Sequence, residues 1–469
     1  MFYEKAKEDP LLTCQMGKND KGLFVPTTYI QLLEKTKAIA ASLKQLGVRR
    51  GDRIGLLSDN RPEWLALDLG ILSLGAADVP RGRDAMEYEI EYILSFSSVS
   101  VCVVENLELY RKLDSVRDKL TELKYVILID EKGIAMKDGD ITYSSLLSEG
   151  MKLLEEEGVR EEIEREVMLG DENDTATIIF TSGTTGLPKG VMTTHGNFLY
   201  ICRVGHDLYP FKKGEKWLSV LPVWHSFERI IQYLFISLSH TICYSKPIGK
   251  IMLYDIQRVN PHYMGSVPRI WETVKSGVYQ NLRGMSKSKR ALFSFFLKVG
   301  THYSNSRKMV LGSTAHTGSG SVTLDKIKGL VPYIILKPFN ALGQKLVFRA
   351  VKSKLGKNFR FGISGGGSLS RDVEDFFSAI DIKLLNGYGM TETGPVIGIS
   401  DALCPKKVFI APLPETQVKV VDPDTHKTLG VGEKGELFVK GDQVMKGYYK
   451  DEEKTNGIID KEGWLHTGD

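Results

Sequence analysis

A short stretch rich in hydroxyl groups and glycines, with one lysine, is the part of the chain best suited to polyphosphate chemistry. It reads Phe180-Thr181-Ser182-Gly183-Thr184-Thr185-Gly186-Leu187-Pro188-Lys189-Gly190. Glycines let backbone N–H groups converge on an anion, hydroxyls donate to phosphate oxygens, and Lys189 adds a mobile positive charge. The apolar run 176–180 leads into this stretch and predicts a strand, which would give the loop a rigid support.

The spacing of this stretch differs from that of a Walker A loop. A Walker A loop has four residues between its first glycine and a Gly-Lys pair that is followed by Ser or Thr. Here Pro188 comes five positions after Gly183, and Gly190 follows Lys189 instead of preceding it. Kinase and GTPase interpretations are therefore disfavoured. The same residue types dominate ordinary surface turns, so other motifs must decide between a plain loop and a phosphate site.

Six further motifs follow the loop in a fixed order and extend to the end of the sequence. They are Leu221–Arg229, Ser364–Gly367, Asn386–Thr393, Gly435–Leu437, Gly447–Tyr448 and Gly463–Asp469. In residue types and in order they resemble the signature of the adenylate-forming superfamily, which includes acyl-CoA synthetases, luciferases and the adenylation domains of peptide synthetases. The resemblance covers nearly the whole chain and implies a multi-layered α/β fold.

Within that superfamily the sequence looks like the long-chain fatty acyl-CoA synthetases. The segments that carry this likeness are 225–229, 266–272, 51–53 and 60–64. Peptide-synthetase domains typically have Phe-Asp where this chain has Trp224-His225, which disfavours an amino-acid substrate. The resemblance thus implies an AMP-forming ligase that uses ATP to activate a long-chain fatty acid, through an acyl-adenylate, to an acyl thioester.

The resemblance also implies which residues hold the phosphates of ATP and its Mg²⁺. Activation of a carboxylate depends mainly on positioning two anions and on stabilising the charge of the leaving pyrophosphate. The residues implied to contact the phosphates are Thr181, Ser182, Gly183, Thr184, Thr185, Gly186 and Lys189. Thr181 and Glu392 would hold Mg²⁺, which favours hard oxygen ligands. The candidate catalytic residues are Thr181, Lys189, Glu392 and His225, of which the family places His225 beside the substrate carboxylate.

A second group of residues is implied to hold the adenosine part of ATP. It comprises Gly365, Gly366, Gly367, Asn386, Gly387, Tyr388, Gly389, Thr391, Glu392 and Asp469. The aromatic face of Tyr388 can stack on adenine, and the glycines around it remove side chains that would block a flat ligand. Asn386 would bond the edge of the base, and Asp469 would accept hydrogen bonds from both ribose hydroxyls. Without the order of the motifs, a tyrosine of the buried core would be the preferred interpretation of Tyr388.

The elements that would position these residues alternate between helices and strands, which is typical of a layered α/β domain. Apolar residues at helical spacing end at Gly47, and Pro62 is placed to open the next helix. Strands are predicted over 54–57, 101–104 and 125–129. We predict an α/β core over residues 1–402, made of two subdomains of which the second begins near residue 175.

After about residue 402 the pattern changes to short alternating segments. Val418–Val421 and Glu436–Lys440 read as strands, separated by turn residues. We therefore predict a small β subdomain over residues 403–469, as the distorted barrel of the family would be. Family members continue beyond the Thr-Gly-Asp motif into a mobile lid, whereas this sequence ends at Asp469. We expect the C-terminal lid domain to be absent and the chain alone to bind ATP but to form thioester poorly, because lid closure excludes water.

Bulk composition is that of an ordinary globular protein. The chain has 469 residues, of which 42% are hydrophobic and 26% are charged, enough for two or three packed units. Its five cysteines lack metal-binding spacing and are odd in number, which favours a reduced, cytosolic compartment. The N-terminus does not resemble a signal peptide, and there is no apolar run of about 18 residues. We expect a cytoplasmic protein that is at most peripheral at the inner membrane face.

The charge distribution is uneven. Residues 281–360, here called the basic segment, contain sixteen Lys or Arg and a single acid, Asp325, although the whole chain carries only +4. A solvated surface is one interpretation, and the other is a contact for an anionic membrane, for the phosphates of CoA or for an acidic carrier protein. The aromatic and aliphatic residues among the charges favour an amphiphilic interface over nucleic acid, although they could equally belong to the core.

Several alternatives remain open at this stage. CoA is the default thiol acceptor, but the segment Asp78–Asp84 resembles acyl-carrier-protein synthetases, so a carrier protein is a second candidate. A chain without a lid could also be a non-catalytic protein that binds ATP or acyl groups. A membrane-surface module built on the basic segment is a third possibility, and it could coexist with catalysis. The acyl chain needs an apolar cavity, for which Trp224, Phe227, Tyr233, Phe235 and Trp271 are candidates.

Overall fold

The structure is a computed structural model that describes residues 1–131, 136–181, 186–312, 322–400 and 410–469. Its strands, in chain order, are β1 (Thr13–Lys18), β2 (Phe24–Thr28), β3 (Arg53–Leu57), β4 (Ala77–Arg81), β5 (Val101–Val104), β6 (Tyr125–Leu128), β7 (Ile141–Thr142), β8 (Thr175–Thr181), β9 (Lys189–Thr194), β10 (Lys216–Ser219), β11 (Thr241–Tyr244), β12 (Tyr263–Ser266), β13 (Phe361–Ser364), β14 (Lys383–Tyr388), β15 (Gly398–Ile399), β16 (Ala411–Pro412), β17 (Gln417–Val421), β18 (Glu436–Lys440), β19 (Gly447–Tyr448) and β20 (Leu465–His466). Its α-helices are α1 (Phe2–Glu8), α2 (Tyr29–Gln45), α3 (Pro62–Ser73), α4 (Glu87–Phe96), α5 (Leu107–Val116), α6 (Tyr143–Leu153), α7 (Val159–Met168), α8 (His195–His206), α9 (Ser226–Ser237), α10 (Gly249–Val259), α11 (Pro268–Arg283), α12 (Lys287–Val310), α13 (Val322–Gly343), α14 (Arg349–Lys352), α15 (Arg371–Ala379) and α16 (Glu452–Ile458).

Two large sheets dominate the architecture, so the predicted α/β class is confirmed. The first sheet has the strand order β19-β9-β8-β4-β3-β5-β6-β7, and the second has the order β16-β15-β14-β13-β12-β10-β11-β1-β2. Their central strands are parallel, and antiparallel strands lie at the β19 end of the first sheet and at both ends of the second. Strands β17, β18 and β20 form a third, small sheet. The helical crossovers that parallel strands require cover the faces of the large sheets.

Alternate residues of the central strands point to different layers. In β10, Trp217 belongs to the core between the two large sheets and Leu218 to the core on the outer face of the second sheet. In β5, Val103 likewise faces the central core and Val104 faces α4 and α5. Helix α3 contacts β1 of one sheet as well as β3 and β4 of the other. The molecule is therefore layered as helices, sheet, helices, sheet and helices, with α2, α3, α8 and α9 in the central helical layer.

Sheet membership does not change near residue 175, where the sequence suggested that a second subdomain begins. Strands β8 and β9 continue the first sheet, because β8 pairs with β4 at Asp78 and Thr177. The change to the second sheet comes at β10, and the N-terminal hairpin β1–β2 also belongs to the second sheet. The chain thus contributes strands to the two sheets in alternation. The division into subdomains remains a proposal.

The local signals read from the sequence agree with the elements. Helix α2 starts after Thr28, whose hydroxyl accepts a hydrogen bond from Gln31 N–H, and it ends at Gln45, two residues before Gly47, where φ is +94°. Pro62 is the first residue of α3. The small sheet contains both strands predicted after residue 402. The tract 312–321 is rich in Gly, Ser and Thr, which predicts a loop. From residue 313 on, this tract lies outside the described residues.

Two further features of the described residues concern the cysteines and the length of the helices. The described cysteines, Cys14, Cys102, Cys202 and Cys243, are buried and unbridged. In the described parts of the chain, no helix combines the length and the apolar character needed to cross a bilayer.

Candidate functional site

The hydroxyl- and glycine-rich loop connects two antiparallel strands of the first sheet. Thr181 is the last residue of β8, Lys189 is the first residue of β9, and the two are paired across the strands. Gly186 lies in the described part of the loop with φ +137°. The candidate phosphate contacts Ser182, Gly183, Thr184 and Thr185 lie outside the described residues. A sheet thus anchors the loop at both ends, and the sequence predicted only the strand that precedes the loop.

Lys189 and Glu392 meet around a third residue, Tyr448. The ammonium nitrogen of Lys189 lies 5.0 Å from the centre of the Tyr448 ring. The Tyr448 hydroxyl donates a hydrogen bond to Glu392 Oε1 at 2.9 Å. The Glu392 carboxylate is nearly buried, and its place in a short turn, Thr391–Thr393, brings it to the edge of the first sheet. Residues from three distant motifs thus converge on one point beside the loop.

Tyr448 belongs to the Gly447-Tyr448 motif, but its residue type and position alone did not indicate a role for it. Strand β19 places Tyr448 opposite Val191 of β9, and the Tyr448 N–H donates to the Thr455 hydroxyl at 2.9 Å. Burial and then the negative charge of Glu392 raise the pKa of the Tyr448 phenol. The residue therefore stays a neutral hydrogen-bond donor to Glu392. Its motif, Gly447-Tyr448, was the signal that could have identified it.

The candidate adenosine residues lie at the carboxyl ends of two adjacent strands of the second sheet. Strands β13 and β14 are parallel, and Ser364 is paired with Asn386. The Tyr388 hydroxyl donates to Asp469 Oδ2 at 2.6 Å. Burial, followed by the hydrogen bond to Asp469, raises the pKa of Tyr388 to about 12. The carboxyl edge of a parallel sheet is where α/β proteins bind ligands.

The glycines that follow β13 shape the same edge. Gly366 has φ +71°, a conformation that other residues adopt only with strain. A Cβ atom on Gly365 would lie 3.0 Å from a ring carbon of Phe227, so this backbone touches the Leu221–Arg229 motif. Gly367 follows in the same turn, and Gly387 and Gly389 flank Tyr388. The two motifs read separately from the sequence are therefore neighbours in space.

His225 lies near a different set of residues from Lys189 and Glu392. Its ring stacks on Trp224 with centroids 4.7 Å apart. The Trp224 ring in turn lies beneath the Arg81 guanidinium, whose carbon is 4.9 Å from the ring centre. Burial, and then the positive charge of Arg81, lower the pKa of His225. The imidazole is therefore held in its neutral form near neutral pH.

Asn60 fixes the backbone that carries Trp224 and His225. Its side-chain oxygen accepts a hydrogen bond from Val223 N–H at 2.8 Å, and its amide nitrogen donates to the Leu221 carbonyl and to the Ser219 hydroxyl. A side-chain amide that bridges a backbone carbonyl and N–H holds the loop in one conformation. In the sequence, Asn60 stands out only as part of the segment 60–64 that resembles the long-chain fatty acyl-CoA synthetases.

The last two residues of the Leu221–Arg229 motif, Glu228 and Arg229, are fully buried. Arg229 donates hydrogen bonds to Asp78, Thr177, Tyr233 and Asp68, and Tyr233 also donates to Asp68 Oδ2 at 2.7 Å. Asp78 and Thr177 belong to the first sheet, whereas Arg229 belongs to a helix beside the second. One guanidinium thus ties both halves of the core together. Burial raises the pKa of Asp68 to about 8, against the lowering effect of Arg229.

Glu228 accepts a hydrogen bond from Trp217 Nε1 at 3.0 Å through Oε1, whereas its Oε2 is buried with no partner among the described residues. Burial raises its pKa to about 7, compared with 4.5 for an exposed glutamate. Because the folded pKa is higher than the unfolded pKa, this group lowers stability as pH rises from about 4.5 through 7.

We predict that Glu228→Gln removes this part of the pH dependence. Between about pH 5 and pH 8, the free energy of unfolding of the variant relative to the original protein should rise by about 2–3 kcal/mol. Urea unfolding of both proteins at the two pH values measures this difference. Glu161→Gln, at an exposed position, is the matched control. A difference that stays constant with pH would show that Glu228 is ionised in the folded protein throughout this range.

An apolar cavity of about 80 Å³ lies between α8, α9 and the second sheet. Residues that line it include Val204, Phe227, Ile231, Phe235, Ile363, Leu385 and Gly387. Of the aromatic candidates for an acyl cavity, Phe227 and Phe235 therefore line it. Tyr233 instead bonds Arg229 and Asp68, Trp271 packs against Phe377, and Trp224 packs beneath Arg81.

The donor set around Glu392 fits a magnesium ion that is held mainly by a nucleotide. No group of three or more His, Cys, Asp or Glu residues that could hold a metal occurs in the described ranges. Mg²⁺ is commonly bound by one or two carboxylates together with substrate phosphates and water. The carboxylate of Glu392 and the hydroxyl of Thr181, at the loop that it adjoins, supply ligands of this kind.

Comparison with known proteins adds a family context to these residues. The AMP-binding enzyme profile matches residues 5–449. Long-chain-fatty-acid–[acyl-carrier-protein] ligase AEE15, chloroplastic, from Arabidopsis thaliana is 33% identical over 457 residues, which are 94% of this chain and 62% of that protein. Long chain acyl-CoA synthetase 7, peroxisomal, from the same plant is 31% identical over 459 residues, which are 94% of this chain and 59% of that protein. The chain thus spans about three fifths of the length of these relatives.

A solved structure with the same fold is the N-terminal domain of FACL13 from Mycobacterium tuberculosis. It matches this chain with a TM-score of 0.69 and 20% sequence identity, and the match covers 100% of this chain and 95% of that one. At this identity the likeness is one of fold, and it agrees with the layered α/β architecture described above.

Proposed function

The chain belongs to the AMP-binding enzyme family, and from this premise we propose that it is a ligase that activates a long-chain fatty acid with ATP. In the first half-reaction, a carboxylate oxygen of the fatty acid attacks the α-phosphorus, the bond to pyrophosphate breaks and an acyl-adenylate forms. In the second, a thiol sulfur attacks the acyl carbon and AMP leaves. The relatives with ligase and synthetase names support this reaction class.

The observation that carries this proposal is the convergence of Lys189 and Glu392 on Tyr448. A cation and a carboxylate beside a glycine- and hydroxyl-rich loop match the needs of a polyphosphate with its metal ion. Lys189 would bind phosphate oxygens, and Thr181 and Glu392 would hold Mg²⁺. That ion, when bound, would neutralise charge that develops on the pyrophosphate. Tyr448 would keep the Glu392 carboxylate oriented through its hydrogen bond.

The adenosine of ATP would lie at the carboxyl edge of the second sheet. Tyr388 would stack on the base, the backbone of 365–367 would approach it, and Asn386 would bond its edge. The rest of the adenosine site would be lined by Gly387, Gly389 and Thr391. Asp469 would accept hydrogen bonds from the ribose. Its backbone carbonyl accepts from Leu437 N–H at 3.0 Å, which supports a fixed position for this carboxylate.

The fatty acyl chain would enter the apolar cavity behind β14. The cavity reaches Gly387, the neighbour of the proposed adenine contact Tyr388, so an acyl chain there would place its carboxylate near the nucleotide. At about 80 Å³ it is smaller than the roughly 300–1,000 Å³ of typical ligand pockets. Binding of a long chain therefore requires movement of lining side chains such as Phe227. His225, neutral and beside Trp224, would lie on the carboxylate side of this path.

The test is ATP–pyrophosphate exchange with palmitate and Mg²⁺, which reports the first half-reaction alone. We would run it on residues 1–469 and on the chain extended by a lid domain from a relative. Exchange that depends on palmitate, in either form, supports the proposal. Tight ATP binding without exchange in either form would favour the alternative of a non-catalytic protein that binds ATP or acyl groups.

CoA is the proposed acceptor, and an acyl carrier protein is the second candidate because one relative carries that acceptor in its name. The segment Asp78–Asp84, whose sequence suggested a carrier protein, contains residues that make packing and hydrogen-bond contacts within this fold. Asp78 is fully buried against Arg229, and Arg81 covers Trp224. Supplying CoA or carrier protein to an active form and comparing thioester formation distinguishes the two acceptors.

A prediction follows for the adenine contact. Tyr388→Ala should weaken ATP binding about tenfold, since stacking of a base on an aromatic ring contributes roughly 1–3 kcal/mol. Tyr388→Phe keeps the ring and loses only the hydrogen bond to Asp469. Its affinity for ATP should therefore stay within about threefold of that of the original protein. Calorimetric titration with ATP and Mg²⁺ measures both. Equal affinity of the alanine variant and the original protein would remove Tyr388 from the nucleotide site.

A further inference from the structure

The basic segment folds mainly into two long antiparallel helices, α12 and α13, which we call the hairpin. It lies within the connection between β12 and β13, two adjacent strands of the second sheet. Helix α12 packs on α15 so closely that a Cβ atom on Gly300 would lie 2.4 Å from the Ala379 carbonyl oxygen. The hairpin is thus attached to the outer face of the molecule through α12.

Helix α13 packs on α12 along one side only. A Cβ atom on Gly343 would lie 2.6 Å from the Phe296 ring, and one on Gly329 would lie 2.6 Å from Met309. Tyr303 of α12 stacks on Tyr333 of α13 with ring centroids 5.3 Å apart. These contacts define the inner side of α13, and α13 is the outermost helix on this face of the described chain.

The outer side of α13 and the turn that follows it carry a row of large apolar side chains, here called the outer stripe. Its members recur every three or four residues and are 46–67% exposed: Leu324, Ile327, Val331, Ile335, Phe339, Leu342 and Leu346. This spacing puts them on one face of a helix. Single exposed apolar residues are ordinary, but a contiguous patch of this length marks an interaction surface.

Positive charge accompanies the outer stripe. Lys326, Lys328, Lys337 and Lys345 are exposed on the same stretch of chain, within a segment that has sixteen basic residues and one acid. Such a charge opposes pairing with a second copy of the same surface. An apolar row flanked by lysines is instead the pattern of helices that lie in the headgroup region of anionic membranes.

We infer that the hairpin binds the surface of an anionic lipid bilayer, with the outer stripe in the boundary between headgroups and acyl chains and the lysines at the lipid phosphates. A row of aliphatic side chains several turns long fits a hydrocarbon boundary better than it fits a small acidic protein, whose surface is mostly polar. Binding of this kind needs neither ATP nor catalysis, so it can hold whether or not the proposed activation of fatty acids does.

The test is flotation of the 469-residue chain with phosphatidylcholine vesicles that either contain or lack phosphatidylglycerol. We expect binding to the anionic vesicles and at least tenfold weaker binding to the neutral ones. Binding should fall as salt rises from about 0.1 M to 1 M, since screening shortens the Debye length from about 10 Å to 3 Å. Failure to bind anionic vesicles at low salt would overturn the inference.

Variants distinguish specific lipid binding by the outer stripe from non-specific hydrophobic adsorption. Ile327→Glu with Ile335→Glu should reduce binding at least tenfold, and Lys326→Glu with Lys337→Glu should do so through charge. Met168→Glu with Leu169→Glu, at apolar positions on α7 and its cap that are at least as exposed, should leave binding unchanged. The single variant Ile327→Ser provides a milder test, and circular dichroism checks that each variant folds.

Two results would assign the outer stripe to another partner. Self-association of the original chain in sedimentation velocity, abolished by the double glutamate variant, would make it an interface between copies. Complete displacement from vesicles by soluble polyglutamate, with no effect of the outer-stripe variant, would make the contact purely ionic. Either result contradicts insertion of the outer stripe into a bilayer.

Discussion

Arg229→Met is expected to lower the free energy of unfolding by about 3–5 kcal/mol, because it leaves the buried carboxyl groups of Asp68 and Asp78 without the guanidinium that bonds them both. Asp68 and Asp78 are both fully buried and both bond this guanidinium. The methionine side chain fills a similar volume, so the loss arises from charge and hydrogen bonding more than from a cavity. The effect should be large because the same residue joins the first sheet to the helices beside the second.

Chemical denaturation of the variant and of the original chain measures this loss. Arg203→Met is the matched control, since Arg203 pairs with Glu415 at the surface and both side chains are more than half exposed. Exposed pairs contribute at most about 1 kcal/mol. Adding Asp68→Asn and Asp78→Asn to Arg229→Met should recover a large part of the loss, because uncharged amides then replace the buried carboxyl groups that lost their partner. A triple variant as unstable as the single one would show that the guanidinium acts through packing.

Glu392→Gln is expected to reduce palmitate-dependent ATP–pyrophosphate exchange by a factor of about 10²–10³, the scale seen when one electrostatic contact to a transition state is lost. Glutamine keeps the volume of the side chain and can still accept the Tyr448 hydrogen bond, so the local fold should survive. What it lacks is the negative charge with which Glu392 would hold Mg²⁺. The expected loss therefore separates a role in metal binding from a role in packing.

The measurement compares exchange rates over a titration of Mg²⁺. Higher Mg²⁺ should restore part of the activity of Glu392→Gln if the metal is bound more weakly. Glu453→Gln, at an exposed position on α16, is the control and should be unchanged. Tyr448→Phe should show a smaller loss than Glu392→Gln, because it removes only the group that orients the carboxylate. Normal exchange in Glu392→Gln would place the metal elsewhere.

The local elements could be read from the sequence because their signals are short in range. Strand β18 runs over Glu436–Lys440, as the alternating pattern predicted, and α3 begins at Pro62. Which strands belong to which sheet could not be predicted from the sequence, because it depends on the pairing of β8 with β4 and on the pairing of β1 with β11. Neither pairing leaves a mark in the local pattern of hydrophobic residues.

In the candidate site, too, residues within a motif could be predicted from the sequence, whereas contacts between residues far apart in the chain could not. The order of the motifs pointed to Lys189, Glu392 and Tyr388 as candidates, but it could not show that two of them contact Tyr448. The buried network around Arg229 was also invisible, because a lone arginine in an amphipathic pattern gives no sign of carboxylates 151 and 161 positions away. The acidic residues of α7 have the composition of a solvated face, yet two of them bond lysines of α2: Glu164 bonds Lys37, and Glu166 bonds Lys44.

The short strand β19 has a consequence for the order of events as the chain folds. Gly447 and Tyr448 complete the edge of a sheet whose other strands lie between residues 53 and 194. Contacts that span so much of the chain form late, because the loop between them must first be closed. A nascent chain that has synthesised only the loop at 180–190 would therefore lack both the candidate metal ligand Glu392 and the tyrosine that bonds it. The proposed nucleotide site would be completed only after residue 448 has been synthesised and β19 has joined the sheet, so that shorter nascent chains would not sequester ATP.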